Sequence, residues 1–218
     1  MALRGRILGL EVRSWGFTLV ELMITIVITA IALALAVPSW ENLVQKRQVT
    51  SAAEEIASFL MHSQSQAIKS NQQVTVTVKR SAGGTSWCVG AMDEEARDDN
   101  GGDPCECDLA DDTEDITARC TIEGEVARIW DFNFEKFTMA GSGVEGVENL
   151  DFYFNFDPVR GLKIEDDGIS VDGDNHAVTL ATNNENWALQ VEVTVTGRVN
   201  ICNPDSSKKV PGFDLCDG

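Results

Sequence analysis

The sequence predicts an α+β protein in which one long N-terminal α-helix packs on an antiparallel β-sheet head with disulfide-tied loops. An uncharged apolar run from Leu22 to Trp40 continues into an amphipathic helical pattern that ends near Lys69. After Asn71, apolar residues recur at every second position, which is typical of strands with one buried face. Clusters of Gly, Asn and Asp separate these alternating segments and mark turns.

Composition narrows the function classes. The chain has 218 residues, 43% of them hydrophobic, which fits one globular domain with an appendage. It carries 17 Lys and Arg against 35 Asp and Glu, a net charge of -18, which excludes nucleic-acid binding over the whole surface. His62 and His176 lack a neighbouring nucleophile pattern, and no phosphate-loop motif occurs. We therefore expect a protein that is not an enzyme and needs no cofactor.

The first forty residues resemble a targeting or membrane segment. Three arginines and one acid lie before Gly16, and an uncharged run of nineteen residues, Leu22 to Trp40, follows Glu21, close to the ~20 that cross a bilayer. Thr25 and Thr29 are its polar residues before Pro38, and their hydroxyls can bond to helix carbonyls. A conventional secretory signal cut after Ala34-Leu35-Ala36 is the alternative, but the run is longer than a typical signal core.

The segment Gly16-Phe17-Thr18-Leu19-Val20-Glu21 decides between these interpretations. It resembles the class III leader of type IV pilins and pseudopilins, with Gly last in the leader, Phe first in the mature chain and Glu fifth. The resemblance implies that a prepilin peptidase cuts after Gly16 and methylates the new amine of Phe17. It also implies that Glu21 meets the free amine of a neighbouring subunit and sets assembly register, because a carboxylate in lipid is costly unless it is paired.

The patterns divide the chain into four parts. Residues 1–16 are predicted to be a leader that is removed, and 17–40 a transmembrane and assembly helix. Residues 41–71 form the amphipathic helix of the head, and 72–218 the β-rich periplasmic or extracellular head. A helix from Phe17 to Lys69 would be about 80 Å long. Pro38 is expected to kink it or to unwind it locally.

Five segments of the head are predicted strands because their apolar residues alternate with polar ones. The predicted strands are Val74–Lys79, Val126–Trp130, Asn149–Phe156, His176–Leu180 and Ala188–Thr196. Turn signals between them lie at 82–84, 100–102, 141–143, 157–158 and 172–175.

Three further matches narrow the resemblance within the pilins. The segments Ala36–Trp40, Ser65–Asn71 and Thr196–Val199 resemble the GspH/FimT group of minor pilins and pseudopilins, with the type IV pilin fold. This implies a minor pilin that helps initiate or cap a type IV pilus used in twitching, adhesion or DNA uptake. The implied partners are the major pilin, other minor pilins, the prepilin peptidase and the inner-membrane assembly platform. A GspH-like minor pseudopilin of type II secretion is the alternative.

The resemblance also implies a location. The chain would pass once through the inner membrane, with its head in the periplasm, before it enters a pilus at the cell surface or a periplasmic pseudopilus. All six cysteines lie in the head, on the oxidising side, and an even number there predicts disulfides. We expect Cys202 to pair with Cys216.

The other four cysteines allow three pairings, among which the sequence does not choose. They are Cys88, Cys105, Cys107 and Cys120. A zinc site made of these four thiolates is the alternative, although the spacing differs from the usual paired C-x2-C arrangement and the compartment favours oxidation.

An acidic stretch from Asp93 to Glu125 holds fourteen acids and two bases, and is expected to be a solvated loop. Asp98, Asp99 and Asp103 are calcium candidates within it. The stretch fails the EF-hand spacing, because Gly102 stands where a ligand belongs and no Glu closes the loop. We therefore expect chelation to leave the fold intact.

A DNA contact is the third functional hypothesis. Minor pilins resembling FimT bind DNA through a Gly-Arg-x-Arg motif near the C-terminus, and this sequence has Gly197-Arg198-Val199-Asn200, without the second arginine. Arg198, Lys208 and Lys209 could form a small basic patch. Because phosphate affinity grows with the number of cations, three cations on a protein of charge -18 predict little binding.

Overall fold

A computed structural model describes residues 16–80, 87–108, 118–130, 137–142, 152–165, 176–182 and 186–216. The chain divides into two compact units, one ending at Leu43 and one comprising Val44–Gly218. The elements, in chain order, are α1 (Leu19–Ser70), β1 (Val74–Arg80), β2 (Trp87–Asp93), α2 (Glu94–Asp99), β3 (Thr121–Ile122), β4 (Glu125–Val126), β5 (Arg128–Trp130), β6 (Phe137–Ser142), β7 (Phe152–Phe156), β8 (Lys163–Ile164), β9 (His176–Thr182), β10 (Ala188–Val193), β11 (Val199–Cys202) and a 3-10 turn (Ser206–Lys208).

The long helix α1 runs from Leu19 to Ser70, close to the predicted bounds. It continues through Pro38, so the local unwinding expected there is not observed, while a kink at Pro38 stays a prediction. Of the helices in the described ranges, none combines the length and apolarity required to cross a membrane. The assignment of residues 17–40 as a transmembrane segment stays a prediction.

In the second unit, α1 contributes one buried face to the core. Its buried residues recur every three or four positions, as the amphipathic pattern predicts. They are Val49, Ala52, Ala53, Ile56, Ala57, Leu60 and Ala67. Ile68 fits the same pattern but is exposed.

Two antiparallel sheets complete the core. The first has the strand order β5-β2-β1-β7-β8, the second has the order β11-β10-β9-β6, and β3 pairs with β4 as a small hairpin. In the first sheet, Val76 of β1 lies opposite Ala91 of β2 and Phe154 of β7. These residues belong to the same apolar cluster as α1, together with Leu180 and Leu189 of the second sheet. The predicted α+β architecture, with a helix against antiparallel strands, is confirmed.

Both faces of the first sheet are covered. Val74, Val76 and Val78 of β1 contribute to the core, whereas Thr75 and Thr77, which alternate with them, are buried on the opposite face. There the Cys105 sulfur lies 3.9 Å from the Thr77 hydroxyl. We call residues 94–120 the flap, of which 94–108 and 118–120 are described. The described part of the flap contacts this outer face and is linked to β2 by a disulfide.

Candidate functional site

The first turn of α1 has a well-defined N-terminal cap. The Thr18 hydroxyl oxygen accepts the backbone N–H of Glu21 at 3.2 Å. The Thr18 carbonyl accepts the N–H of Leu22 at 3.1 Å, the first bond of the helix. Thr-x-x-Glu is the spacing of a capping box, which explains why the helix begins at Leu19. The cap places Glu21 in the first helical turn, where the helix dipole stabilises a carboxylate.

The helix that follows Glu21 exposes apolar side chains in every direction. Ile24 is 53% exposed and Leu33 is 59% exposed. The hydroxyl of Thr25 donates to the Leu22 carbonyl at 2.8 Å, and that of Thr29 to the Thr25 carbonyl at 2.6 Å, as predicted. These polar groups are therefore satisfied within the helix. A helix with apolar side chains on all sides is stable only when lipid or other protein shields them from water.

The predicted processing point is accessible. Gly16 and Phe17 precede the helix in irregular backbone, and both are exposed. Residues 1–15 of the predicted leader lie outside the described residues. In the described part of the chain, the bond between Gly16 and Phe17 is not covered by packed structure, so a peptidase could approach it.

The structure selects one of the three pairings that the sequence leaves open for the four cysteines of β2 and the flap. Cys88 pairs with Cys107, and Cys105 pairs with Cys120. All four are at most 2% exposed and form a separate buried cluster with Met92 of β2. Because their sulfurs are joined in disulfides, the zinc interpretation does not apply to this state. Cys202 pairs with Cys216, as predicted.

The calcium candidates do not converge. Asp98 and Asp99 belong to the last turn of α2, and Asp103 follows the next turn, where its carbonyl accepts the side-chain N–H of Asn100 at 3.1 Å. Among the described residues, the cluster with metal-ligand atom types consists of Glu192 with Cys202 and Cys216, and those two sulfurs form a disulfide. The structure therefore does not bring Asp98, Asp99 and Asp103 together as one ligand set.

The residues of the predicted basic patch lie near the two ends of β10. The Arg198 carbonyl accepts the N–H of Thr194, just after β10 ends, whereas Lys209 forms a bridge with Ala188, where β10 begins. The length of the strand separates these positions by roughly 20 Å. Lys208 ends the 3-10 turn beside Lys209. The backbone thus places Arg198 and Lys209 near opposite ends of β10, and a DNA contact at these residues stays a prediction.

Acidic side chains border Arg198. It lines a groove of about 660 Å³ on the second sheet together with Glu192 and Asp214. Glu192 also accepts the side-chain N–H of Asn200 at 3.2 Å. These carboxylates oppose the approach of a phosphate backbone.

Both histidines contact neighbouring side chains of the folded protein. His62 is exposed on α1, with its ring 3.5 Å from the Gln66 amide. The Nδ1 of His176 lies 2.7 Å from the Nζ of Lys163, and the ring packs 5.1 Å from that of Phe152. Lys163 is fully buried, a feature that the sequence analysis missed.

A second feature missed by the sequence analysis joins α1 to both sheets. The Gln64 side-chain amide donates to the Gly161 carbonyl at 2.7 Å and to the Gly197 carbonyl at 2.9 Å. Gly161 ends the turn after β7, and Gly197 lies in the β10–β11 hairpin. No sequence pattern predicts this contact, because Gln64 is one polar residue among many on the helix.

The turn before Gly161 depends on a hydrogen-bonded carboxylate. Asp157 accepts the N–H of Val159 at 2.7 Å and pairs with the Nε of Arg160 at 2.9 Å. Burial raises the pKa of Asp157, but these hydrogen bonds and the charge of Arg160 outweigh it, so the pKa lies below its usual value.

Comparison with protein families assigns the fold. A family model described as type II transport protein GspH matches residues 52–197, more than half of the chain. The chain belongs to the GspH family. A second family model, the prokaryotic N-terminal methylation motif, matches residues 16–37. This protein is therefore a type IV pilin-like subunit with a class III leader motif, and its family consists of structural subunits.

Solved structures and curated proteins add two findings. The GspH-family chain is similar to the type IV minor pilin FimU of Pseudomonas aeruginosa strain PAO1 in two crystal forms. In space group P21 the identity is 15% over 77% of this chain and 95% of FimU, with a TM-score of 0.42. In space group P65 it is 15% over 75% and 98%, with a TM-score of 0.39. A search of curated proteins finds no match.

Proposed function

We propose that this GspH-family protein is a minor pilin of a type IV pilus, which enters the filament after insertion in the inner membrane and helps initiate or cap assembly. The observation that supports the proposal is the start of α1. There, the capped first turn of α1 contains Glu21, and the following turns expose apolar side chains on all sides. Such a helix requires lipid or protein around it.

In the proposed mechanism, the subunit is processed once by the peptidase and then assembles into the filament through non-covalent contacts. The prepilin peptidase cuts after Gly16 and methylates the amine of Phe17. The apolar segment then passes from lipid into a bundle of neighbouring helices and stays buried throughout. Glu21 pairs with the amine of a neighbouring subunit, which removes the cost of an unpaired carboxylate in apolar surroundings. Since only one register satisfies this pair, Glu21 fixes the axial position of the subunit.

The head supplies the surface that distinguishes this subunit from the major pilin. Its partners are the major pilin, other minor pilins and the inner-membrane assembly platform. The flap increases the acidity of this surface: residues 94–108 alone include seven acids and a single arginine. An acidic surface disfavours close contact with another acidic surface and thereby limits which neighbours fit.

A minor pseudopilin of type II secretion is the second candidate, and the family description favours it. The first turn of α1 does not distinguish a pilin from a pseudopilin, because both classes share this motif. The preference for a pilus rests on the segment Ala36–Trp40 and on the cysteine-rich head.

An in-frame deletion distinguishes the two candidates when surface pili and secreted proteins are scored from one culture. Sparse or absent pili after shearing, with normal secretion, are expected for a minor pilin. Normal pili, with exoproteins retained in the periplasm, would contradict the pilus proposal and assign the protein to the secretion pseudopilus. Complementation with the intact gene controls for effects on neighbouring genes.

A further inference from the structure

The two disulfides of the flap interlock along the chain. Cys88 bonds to Cys107, passing over Cys105, while Cys105 bonds to Cys120, passing over Cys107. Pairing each cysteine with the next would instead give Cys88–Cys105 and Cys107–Cys120. Each of these loops is two residues shorter than the native separations of 19 and 15 residues. Loop-closure entropy in the unfolded chain therefore favours the non-native pair of bonds, by about 1.5-fold.

The native pairing is favoured only by the folded first sheet. Cys88 lies in β2 opposite Lys79 of β1, and its side chain is on the outer face. A Cβ on Gly90, two residues further on, would overlap the Cys120 sulfur and lie 2.8 Å from the Cβ of Cys107. Both native disulfides therefore pack into the space left by Gly90. This packing exists only after β2 has joined β1, whereas disulfides can form before.

Non-native disulfides have to be exchanged before the flap folds onto the first sheet. In the folded protein, Cys105 and Cys107 are fully buried, and Cys88 and Cys120 are at most 2% exposed. An attacking thiolate needs access to a sulfur atom in line with the bond that breaks. The folded flap does not offer this access, so wrong bonds must be exchanged while the segment is open.

We propose that the flap reaches its native pairing by thiol–disulfide exchange, and that a thiol catalyst of the disulfide-isomerase class is a folding partner of this protein. An oxidant that accepts two electrons and two protons for each disulfide first forms Cys88–Cys105 and Cys107–Cys120. The thiolate of the catalyst attacks the Cys105 sulfur, forms a mixed disulfide there and releases the Cys88 thiolate.

Two further exchanges complete the correction. The Cys88 thiolate attacks the Cys107 sulfur, which forms Cys88–Cys107 and releases the Cys120 thiolate. The Cys120 thiolate attacks the Cys105 sulfur in the mixed disulfide, which forms Cys105–Cys120 and returns the thiol of the catalyst. One bond breaks for each bond that forms, so the sequence consumes no oxidant or reductant. Because Cys105 and Cys107 are separated only by Glu106, Cys88 moves between them with little rearrangement of the chain.

The test is oxidative refolding of the full chain in detergent micelles, after reduction and denaturation. One sample is oxidised with diamide alone, and a second with diamide followed by reduced glutathione. After acid quenching, cleavage after Arg97, Glu106 and Arg119 separates all four cysteines, so mass spectrometry identifies each pairing. We expect non-native bonds in at least half of the first sample and a native fraction at least 1.5-fold higher in the second. A native fraction that glutathione does not raise would overturn the proposal.

A matched variant tests whether interlocking is the cause. The double substitution Cys105→Ser with Cys120→Ser leaves Cys88 of β2 and Cys107 of the flap, so a single pairing remains between β2 and the flap. We expect Cys88–Cys107 to form to the same extent with and without glutathione. If this variant depends on glutathione as strongly as the parent chain, the requirement does not arise from interlocking, and the proposal is wrong.

Discussion

The side-chain amide of Gln64 donates to the carbonyl oxygen of Gly197 at 2.9 Å, across 133 residues of sequence. The same nitrogen donates to the carbonyl of Gly161 at 2.7 Å. One carbonyl lies in a loop of the first sheet and the other in a hairpin of the second sheet. One side chain of α1 is therefore hydrogen-bonded to both sheets. All three residues lie within the segment matched by the GspH family model.

Removing this amide should destabilise the head. Gln64→Ala leaves the carbonyls of Gly161 and Gly197 without their donor, and we expect a loss of about 1–3 kcal/mol in the free energy of unfolding. Chemical denaturation followed by circular dichroism measures it. Gln66→Ala, on the same helix but with weaker and more exposed contacts, is the control and should change stability by less than about 0.5 kcal/mol. Equal effects of the two substitutions would contradict the role of Gln64.

The close approach at Gly197 should make an alanine there costly. Gly197 has φ +74°, and a Cβ would overlap the carbonyl oxygen of Gly161. Gly197→Ala should therefore cost more than about 2 kcal/mol, because steric displacement adds to backbone strain. Gly212→Ala separates the two effects, since Gly212 has φ +100° but no atom within 4 Å of the added Cβ. A Gly212 variant as unstable as the Gly197 variant would show that strain alone matters.

Acid should weaken the turn that Asp157 forms. Because its folded pKa lies below its usual value, the carboxylate stabilises the fold above about pH 4, its unfolded pKa. This contribution is lost as the pH falls through the lowered folded pKa. Asp157→Asn should therefore reduce stability at pH 7 and have a smaller effect near pH 2. Denaturation midpoints at the two pH values measure this, and a difference that grows on acidification would contradict it.

Chelation should leave the fold unchanged. Asp98, Asp99 and Asp103 do not form one ligand set, and the flap is held by disulfides. We expect the thermal midpoint to be the same with and without EDTA. A fall of several degrees on adding EDTA, reversed by calcium but not by magnesium, would show that an ion stabilises the head.

The elements predicted correctly are those with one polar face. β7 and β10 alternate clearly in sequence, and β1 alternates between Val and Thr. β2 escaped prediction because all seven of its residues are buried, so it has no polar face to produce alternation. The predicted turn at residues 141–143 was placed too early, since β6 extends to Ser142.

The parts of the candidate site that depend on neighbouring residues in the sequence could be predicted. Thr18 and Glu21 form a cap within one turn, so the motif alone locates Glu21 in the structure. The pairing of the flap cysteines depends on how β2 and the flap meet in space, and sequence separation favours a different pairing. The division of Arg198 from Lys209 likewise results from the length of β10, which the spacing between the two residues along the chain does not reveal.

The most direct test of the account is the incorporation of a Glu21→Val variant into filaments. Glu41→Val, also an exposed glutamate of α1, is the control. Immunoblots of sheared filaments and of inner membranes measure where each variant accumulates, and non-reducing gels report whether the disulfides of the head have formed. We predict that Glu21→Val stays in the inner membrane with an oxidised head, while Glu41→Val enters filaments. Normal amounts of Glu21→Val in sheared filaments would contradict the central role of this carboxylate in assembly.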